Sequence, residues 1–106
     1  MKAPLTFTLI MYDITHDRTL QKTAKLLQQH GYERINYSVW LGWGSFTDDI
    51  PLRKELQLLL RNPEAEGSRL YSMALKSHTL RNMRSITGHK PSEMDYWLGE
   101  RELLFF

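Results

Sequence analysis

Asp13 is the first residue whose type and position could do chemistry. It follows the apolar run Leu9-Ile10-Met11-Tyr12 and precedes Ile14-Thr15-His16-Asp17, so it stands where a strand gives way to a loop. A helix N-terminus close by favours negative charge. A carboxylate with open neighbouring positions suits Mg2+, which takes one or two carboxylates, keeps several waters and recruits phosphate oxygens. Such an ion polarises a phosphodiester and supplies a hydroxide nucleophile. A plainer role is open to the same side chain, which could simply cap a helix or a turn. One carboxylate is also few for a metal. A two-fold dimer with its axis near this strand would bring two copies of Asp13 together, and a shared divalent cation would relieve their repulsion. His16 could shuttle protons beside it, and Asp17 is the other neighbouring acid.

A second group is Arg34, Asn36, Ser38 and Trp40, alternate residues of one segment. Guanidinium, amide, hydroxyl and aromatic groups on one strand face are what phosphate contact and base or sugar packing need. An ordinary exposed sheet face would look similar but for Trp40, and Trp40 and Trp43 fit a core or an interface better than a stacking platform. A third group is basic. Between Ser68 and Ser92 stand Arg69, Lys76, Arg81, Arg84 and Lys90 with no carboxylate, whereas Glu93, Asp95, Glu100 and Glu102 face Arg101 alone in the final stretch. The net charge of +2 is small, so this distribution carries the argument: one surface for a polyanion and one for protein. Arg34, Asn36, Ser38, Lys76, Arg81 and Arg84 are therefore the expected nucleic-acid contacts. There is no Gly-rich phosphate loop, Ser-His-Asp set or HExxH, and no cysteine, which excludes disulfides and thiolate metal sites.

The elements that must hold these residues follow from the spacing. Thr6 to Tyr12 reads as a short buried strand. Thr15 or Asp17 can cap a helix over about Arg18 to His30, with Leu20, Ala24 and Leu27 on one face, Lys22, Lys25 and Gln29 on the other, and Gly31 at its C-cap. From Tyr32 to Trp43, Ile35, Tyr37, Val39 and Leu41 alternate with the polar set, giving one long strand or two broken near Tyr37-Ser38. Asp48 or Asp49 caps a second helix with Pro51 in its first turn, Leu52, Leu56, Leu59 and Leu60 as its buried stripe, and Asn62-Pro63 as its stop. Arg69 to Lys76 is another strand candidate, and Leu80 to Thr87 is open between a helical turn and a strand. This order predicts an α+β, ferredoxin-like βαββαβ domain over residues 1–90. The ending Leu103-Leu104-Phe105-Phe106 is costly in water. It predicts that 91–106 is a tail carrying an extra strand packed on a partner protomer, with Tyr12, Trp40, Leu104, Phe105 and Phe106 at the interface. Asp13 interrupts the first apolar run, so no signal peptide is read there, and nothing approaches a membrane span of roughly 20 apolar residues. A cytoplasmic location, with no membrane partner, is expected.

Residues 12–17 (YDITHD), the helix carrying Lys22 and Ala24-Lys25-Leu26-Leu27, and the run from Gly31 through Arg34-Ile35 to Tyr37-Ser38-Val39-Trp40 together resemble the N-terminal half of the CRISPR-associated Cas-two family. The likeness is specific over about residues 6–44 and looser beyond. It implies a homodimer whose C-terminal strand crosses to the partner. It implies Asp13 as the catalytic, Mg2+-binding position (or one for another divalent cation), used by some members to cleave RNA or double-stranded DNA. It also implies a role in spacer acquisition, bridging the Cas-one integrase and holding duplex DNA. Asn36 replaces the family's usual glutamine, Trp40 its phenylalanine, and Leu20 stands where many members have an arginine, which weighs against cleavage more than against DNA binding. A stand-alone, toxin-type endoribonuclease on the same fold is the alternative reading, and a non-catalytic nucleic-acid-binding module is the third.

Overall fold

Alternation and caps place the elements. In the computed structural model, which describes residues 6–87, Thr6–Asp13 forms β1 and Asp17–Gln29 forms α1. Glu33–Asn36 and Val39–Trp43 form β2 and β3, Ile50–Arg61 forms α2, Arg69–Lys76 forms β4 and Ser77–Arg81 a short α3. Single 3-10 turns at Phe46–Asp48 and Pro63–Ala65 flank α2. The strands make one antiparallel sheet in the order β2-β3-β1-β4. With a helix after β1 and another after β3, this is the ferredoxin-like arrangement expected. The proposed tail 91–106, with Leu104, Phe105 and Phe106, lies outside the described residues.

The two helices cover one face of the sheet. Ile10, Tyr12 and Trp40 from the strands meet Leu27, Leu52 and Leu56 from α1 and α2, all buried. The helix ends lock onto each other. Gly31 takes φ +85 after α1, which only glycine adopts without strain. Its N–H donates to the Gln28 carbonyl and that of Tyr32 to the Leu27 carbonyl, the pairing of a Schellman ending. His30, at the C-cap of α1, has its Nδ1 2.8 Å from Asp49 Oδ2, while Asp49 Oδ1 accepts from the Leu52 N–H and caps α2. Of the caps the sequence offers α2, Asp49 is used. For α1 neither Thr15 nor Asp17 is. His16 is the N-cap, its Nδ1 accepting from the Thr19 N–H.

Tyr32 ties this assembly to the sheet. Its ring lies across Gly42, where a Cβ would overlap the ring carbons, so no larger residue fits without moving it. Thr8, 1% exposed, donates to the Gly44 carbonyl and accepts from the Phe46 N–H. Burial pushes the Tyr32 hydroxyl above its ordinary pKa of 10.0, a hydrogen bond with Thr8 pulls against this, and the Asp49 charge adds to the rise.

The other face of the sheet is closed at one end only. Phe7, Leu41 and Leu80 of α3 are buried together, with Leu75 and Met83 against them. Further along, Leu9, Met11, Ile35 and Val39 are half-buried, and Tyr71 and Met73 are 58% and 50% exposed.

Candidate nucleic-acid interface

Strand register decides which of the candidate residues meet. β1 pairs with β4 so that Asp13, the last residue of one, stands opposite Arg69, the first of the other. Directly opposed residues of an antiparallel pair share a face. Asp13 and Arg69 therefore lie on the face of Met11, Tyr71, Leu9 and Met73, away from the helices. Asp13 is exposed. In the sequence Arg69 is only one cation of the basic segment. The pairing of first and last strands in a ferredoxin-like sheet is the signal that could have placed it beside Asp13.

Arg34 belongs to the same end of the sheet but to the other face. It pairs with Trp40, whose ring points towards the helices and is 4% exposed. The Arg34 guanidinium lies 5.0 Å from the Trp40 ring centroid and 5.3 Å from that of Tyr37, within the range of cation–π attraction. It makes no ion pair and no hydrogen bond among the described residues, so the N–H edge of the guanidinium is held in place by two rings and left for an external anion. Trp40 is itself anchored, its Nε1–H donating to the Tyr12 hydroxyl at 3.0 Å. Both rings are thus committed to the core of one chain. The interface role expected of Tyr12 and Trp40 has almost no surface to act through, since they are 6% and 4% exposed.

The hairpin also departs from the expected alternation. A register shift between Arg34 and Asn36 puts Asn36 opposite Val39. Tyr37, expected on the buried face with Ile35 and Leu41, is 69% exposed at the turn. The Asn36 side-chain oxygen accepts from the Tyr37 N–H at 2.7 Å, which commits that oxygen to the turn. Ser38 is half-buried, and its carbonyl accepts from the Tyr12 N–H. Of the four residues expected on one face, Arg34 and Asn36 are exposed, the first with its guanidinium edge unengaged among the described residues and the second with its oxygen held by the turn.

The basic segment is divided by the fold. Lys76 stands opposite Thr6 at the far end of β1, about 23 Å from the Asp13 end at 3.3 Å per residue. Arg81 follows it in α3 and Arg84 lies just beyond, both exposed. The sequence groups Lys76, Arg81 and Arg84 with Arg34 as nucleic-acid contacts; the structure puts Lys76 at the far end of β1 from Asp13.

His16 is also otherwise engaged. Its Nδ1 is 2.8 Å from the Thr19 hydroxyl and its Nε2 is 3.8 Å from Glu64, so its Nδ1 serves as the cap of α1. Among the described residues no group of three or more His, Cys, Asp or Glu side chains could hold a metal ion. The donor set of one chain at this position is a single carboxylate, which suits a weakly held, largely hydrated cation; a second carboxylate from another chain would complete a firmer site. No described helix is long and apolar enough to cross a membrane.

The sequence model of the family CRISPR associated protein Cas2 matches residues 6–83. Among solved structures, the chain is similar to the crystal structure of Streptococcus pyogenes Cas2 at pH 6.5, at TM-score 0.61 and 16% identity, covering 76% of this chain and 99% of that one. No curated protein matches the sequence. The structural likeness carries the fold, and the family match covers β1 through α3.

Proposed function

The chain belongs to the Cas2 family of CRISPR-associated proteins, and on that premise we propose that it acts in CRISPR adaptation as a homodimer that holds duplex DNA and bridges the Cas-one integrase. The observation that carries the dimer is the shared face of Asp13 and an incompletely covered apolar surface. Met11, Val39, Tyr71 and Met73 are half-buried or exposed on the side where Asp13 and Arg69 stand. β4 is an edge strand of eight residues, and an edge that long invites another strand. A second copy of this chain on that face covers the apolar side chains, and the tail 91–106 is the segment proposed to add along the edge.

A two-fold axis passing near Asp13 on this face would bring two Asp13 carboxylates together, which is the condition under which Mg2+, or another divalent cation, would be shared. When bound, the ion would polarise a phosphodiester and lower the pKa of a bound water. Asp13 of each protomer would hold the ion, with Arg69 a cation opposite it, and Arg34, fixed by Tyr37 and Trp40 on the other face, would offer its guanidinium to phosphate. Whether the centre cleaves is separable from whether the dimer holds DNA.

Sedimentation tests the dimer. The wild type should sediment as a dimer and Met73→Asp as a folded monomer; a wild-type monomer at every concentration overturns the reading. The functional arm is duplex binding that weakens steeply between about 50 and 200 mM salt, together with a complex with the Cas-one integrase; absence of both removes the adaptation role. Mg2+-dependent cleavage of single-stranded RNA that Asp13→Asn abolishes, with no integrase complex, would favour the stand-alone ribonuclease instead.

A further inference from the structure

The helix layer carries more positive charge than the molecule does. α1 and α2 together hold six cations against two carboxylates, a balance of +4, while the whole chain carries +2. Arg18, Lys22 and Lys25 fall at i, i+4 and i+7 on α1, one stripe along the helix, and all three are exposed. Lys54 and Arg61 are seven residues apart on α2 and exposed as well. Among the described residues none of these five makes an ion pair or a side-chain hydrogen bond. Arg53, the sixth, donates to the Thr47 carbonyl. An open groove of about 540 Å3 runs between the helices, with Lys22, Lys25 and Gln29 on its α1 wall and Glu55 and Leu58 on its α2 wall.

We propose that this outer face of α1 and α2 is a second phosphate-backbone surface, with the Arg18-Lys22-Lys25 stripe as its centre. The proposal rests on the duplex-binding reading above and moves much of that binding away from the residues 69–90. Seven residues of helix rise about 10 Å, about three steps of one strand at about 3.4 Å of helix axis each, so the three cations reach across a run of about four phosphates. An acidic peptide in the groove would engage Lys22 and Lys25 only. The unpaired charge extends beyond the groove to Arg18, Lys54 and Arg61, which fits an extended polyanion better. Because the helices cover the face opposite Asp13, this surface stays open when a second copy packs on the sheet.

The test is a salt titration of a fluorescent duplex of about 20 base pairs with the full chain as a dimer. Removing one cation that neutralises a phosphate should lower the slope of log affinity against log salt by about 0.9. The triple variant Arg18→Gln, Lys22→Gln, Lys25→Gln should therefore flatten the slope by about two to three units and weaken binding about tenfold or more at low salt. Its circular dichroism and melting temperature should match the wild type, since all three side chains are exposed. Glu55→Gln, which removes a carboxylate from the same surface, should tighten binding, a gain that damage to the fold cannot produce. A steep wild-type slope left unchanged in the triple variant overturns the helix surface alone, as does duplex binding kept while integrase binding is lost. A wild type that binds no duplex at any salt fails the functional reading itself.

Discussion

The two faces of the sheet are built from similar side chains and end in different states. On β1, Ile10 and Tyr12 look towards the helices and are buried; Leu9 and Met11 look the other way and are half-buried. An antiparallel sheet that meets water on one side alternates apolar with polar residues. β1 does not, because Phe7, Leu9 and Met11 are as apolar as their alternates. The helix side completes itself within one chain: Leu27, Leu52 and Leu56 fill it, and the His30–Asp49 pair fastens the helix ends. The other side is completed only beneath α3. A strand without alternation asks for cover twice, and here one layer of helices answers once.

Folding stability measured by urea unfolding should separate the two faces. Leu56→Ala empties a position 2% exposed in the helix-side core and should cost about 2–5 kcal/mol, at every protein concentration. Met73→Asp should differ in kind: its effect should grow with protein concentration, because it removes association rather than packing. If Met73→Asp destabilises as much as Leu56→Ala in dilute solution, the faces are not different in the way described. Asp49→Ala removes the α2 cap and the link to His30 and should cost about 1–2 kcal/mol in the same measurement. No loss there would mean that the helix ends are held by apolar packing alone.

The smallest effect is confined to alkaline solution. Tyr32 has its hydroxyl pKa raised above 10.0 in the folded chain, chiefly by burial. A group that holds its proton more tightly when folded contributes fully below its unfolded value, and the contribution is lost as pH rises past it. Stability should therefore fall as pH climbs through about 10, and Tyr32→Phe should flatten that limb. A limb of the same steepness in Tyr32→Phe would assign the loss to other groups.

Much of this fold is readable along the chain. The helix expected over about Arg18 to His30 is Asp17–Gln29, and the strand expected from Arg69 to Lys76 has those bounds. The helix rests on signals local in sequence, its apolar period and Gly31. The two-strand option near Tyr37-Ser38 is the one taken. Register is not readable, because it depends on which strands pair and by how much. That is why the sequence does not mark Arg69 as the residue opposite Asp13, why it groups Lys76 with residues at the other end of the sheet, and why its alternation puts Tyr37 in the interior. Trp40 does stand beside Arg34, but the ring serves as the floor on which the guanidinium rests rather than as a platform for a base.

β2 is four residues long, sits at an edge, and is joined to β3 across a register shift. Short, outlying strands open by local fluctuation well before a whole domain unfolds. In a hydrogen–deuterium exchange experiment the amides of Glu33 to Asn36 should therefore take up label ahead of those in β1. Arg34 rides on the looser strand while Asp13 ends the strand flanked on both sides, so the two can part company without either face of the core coming apart.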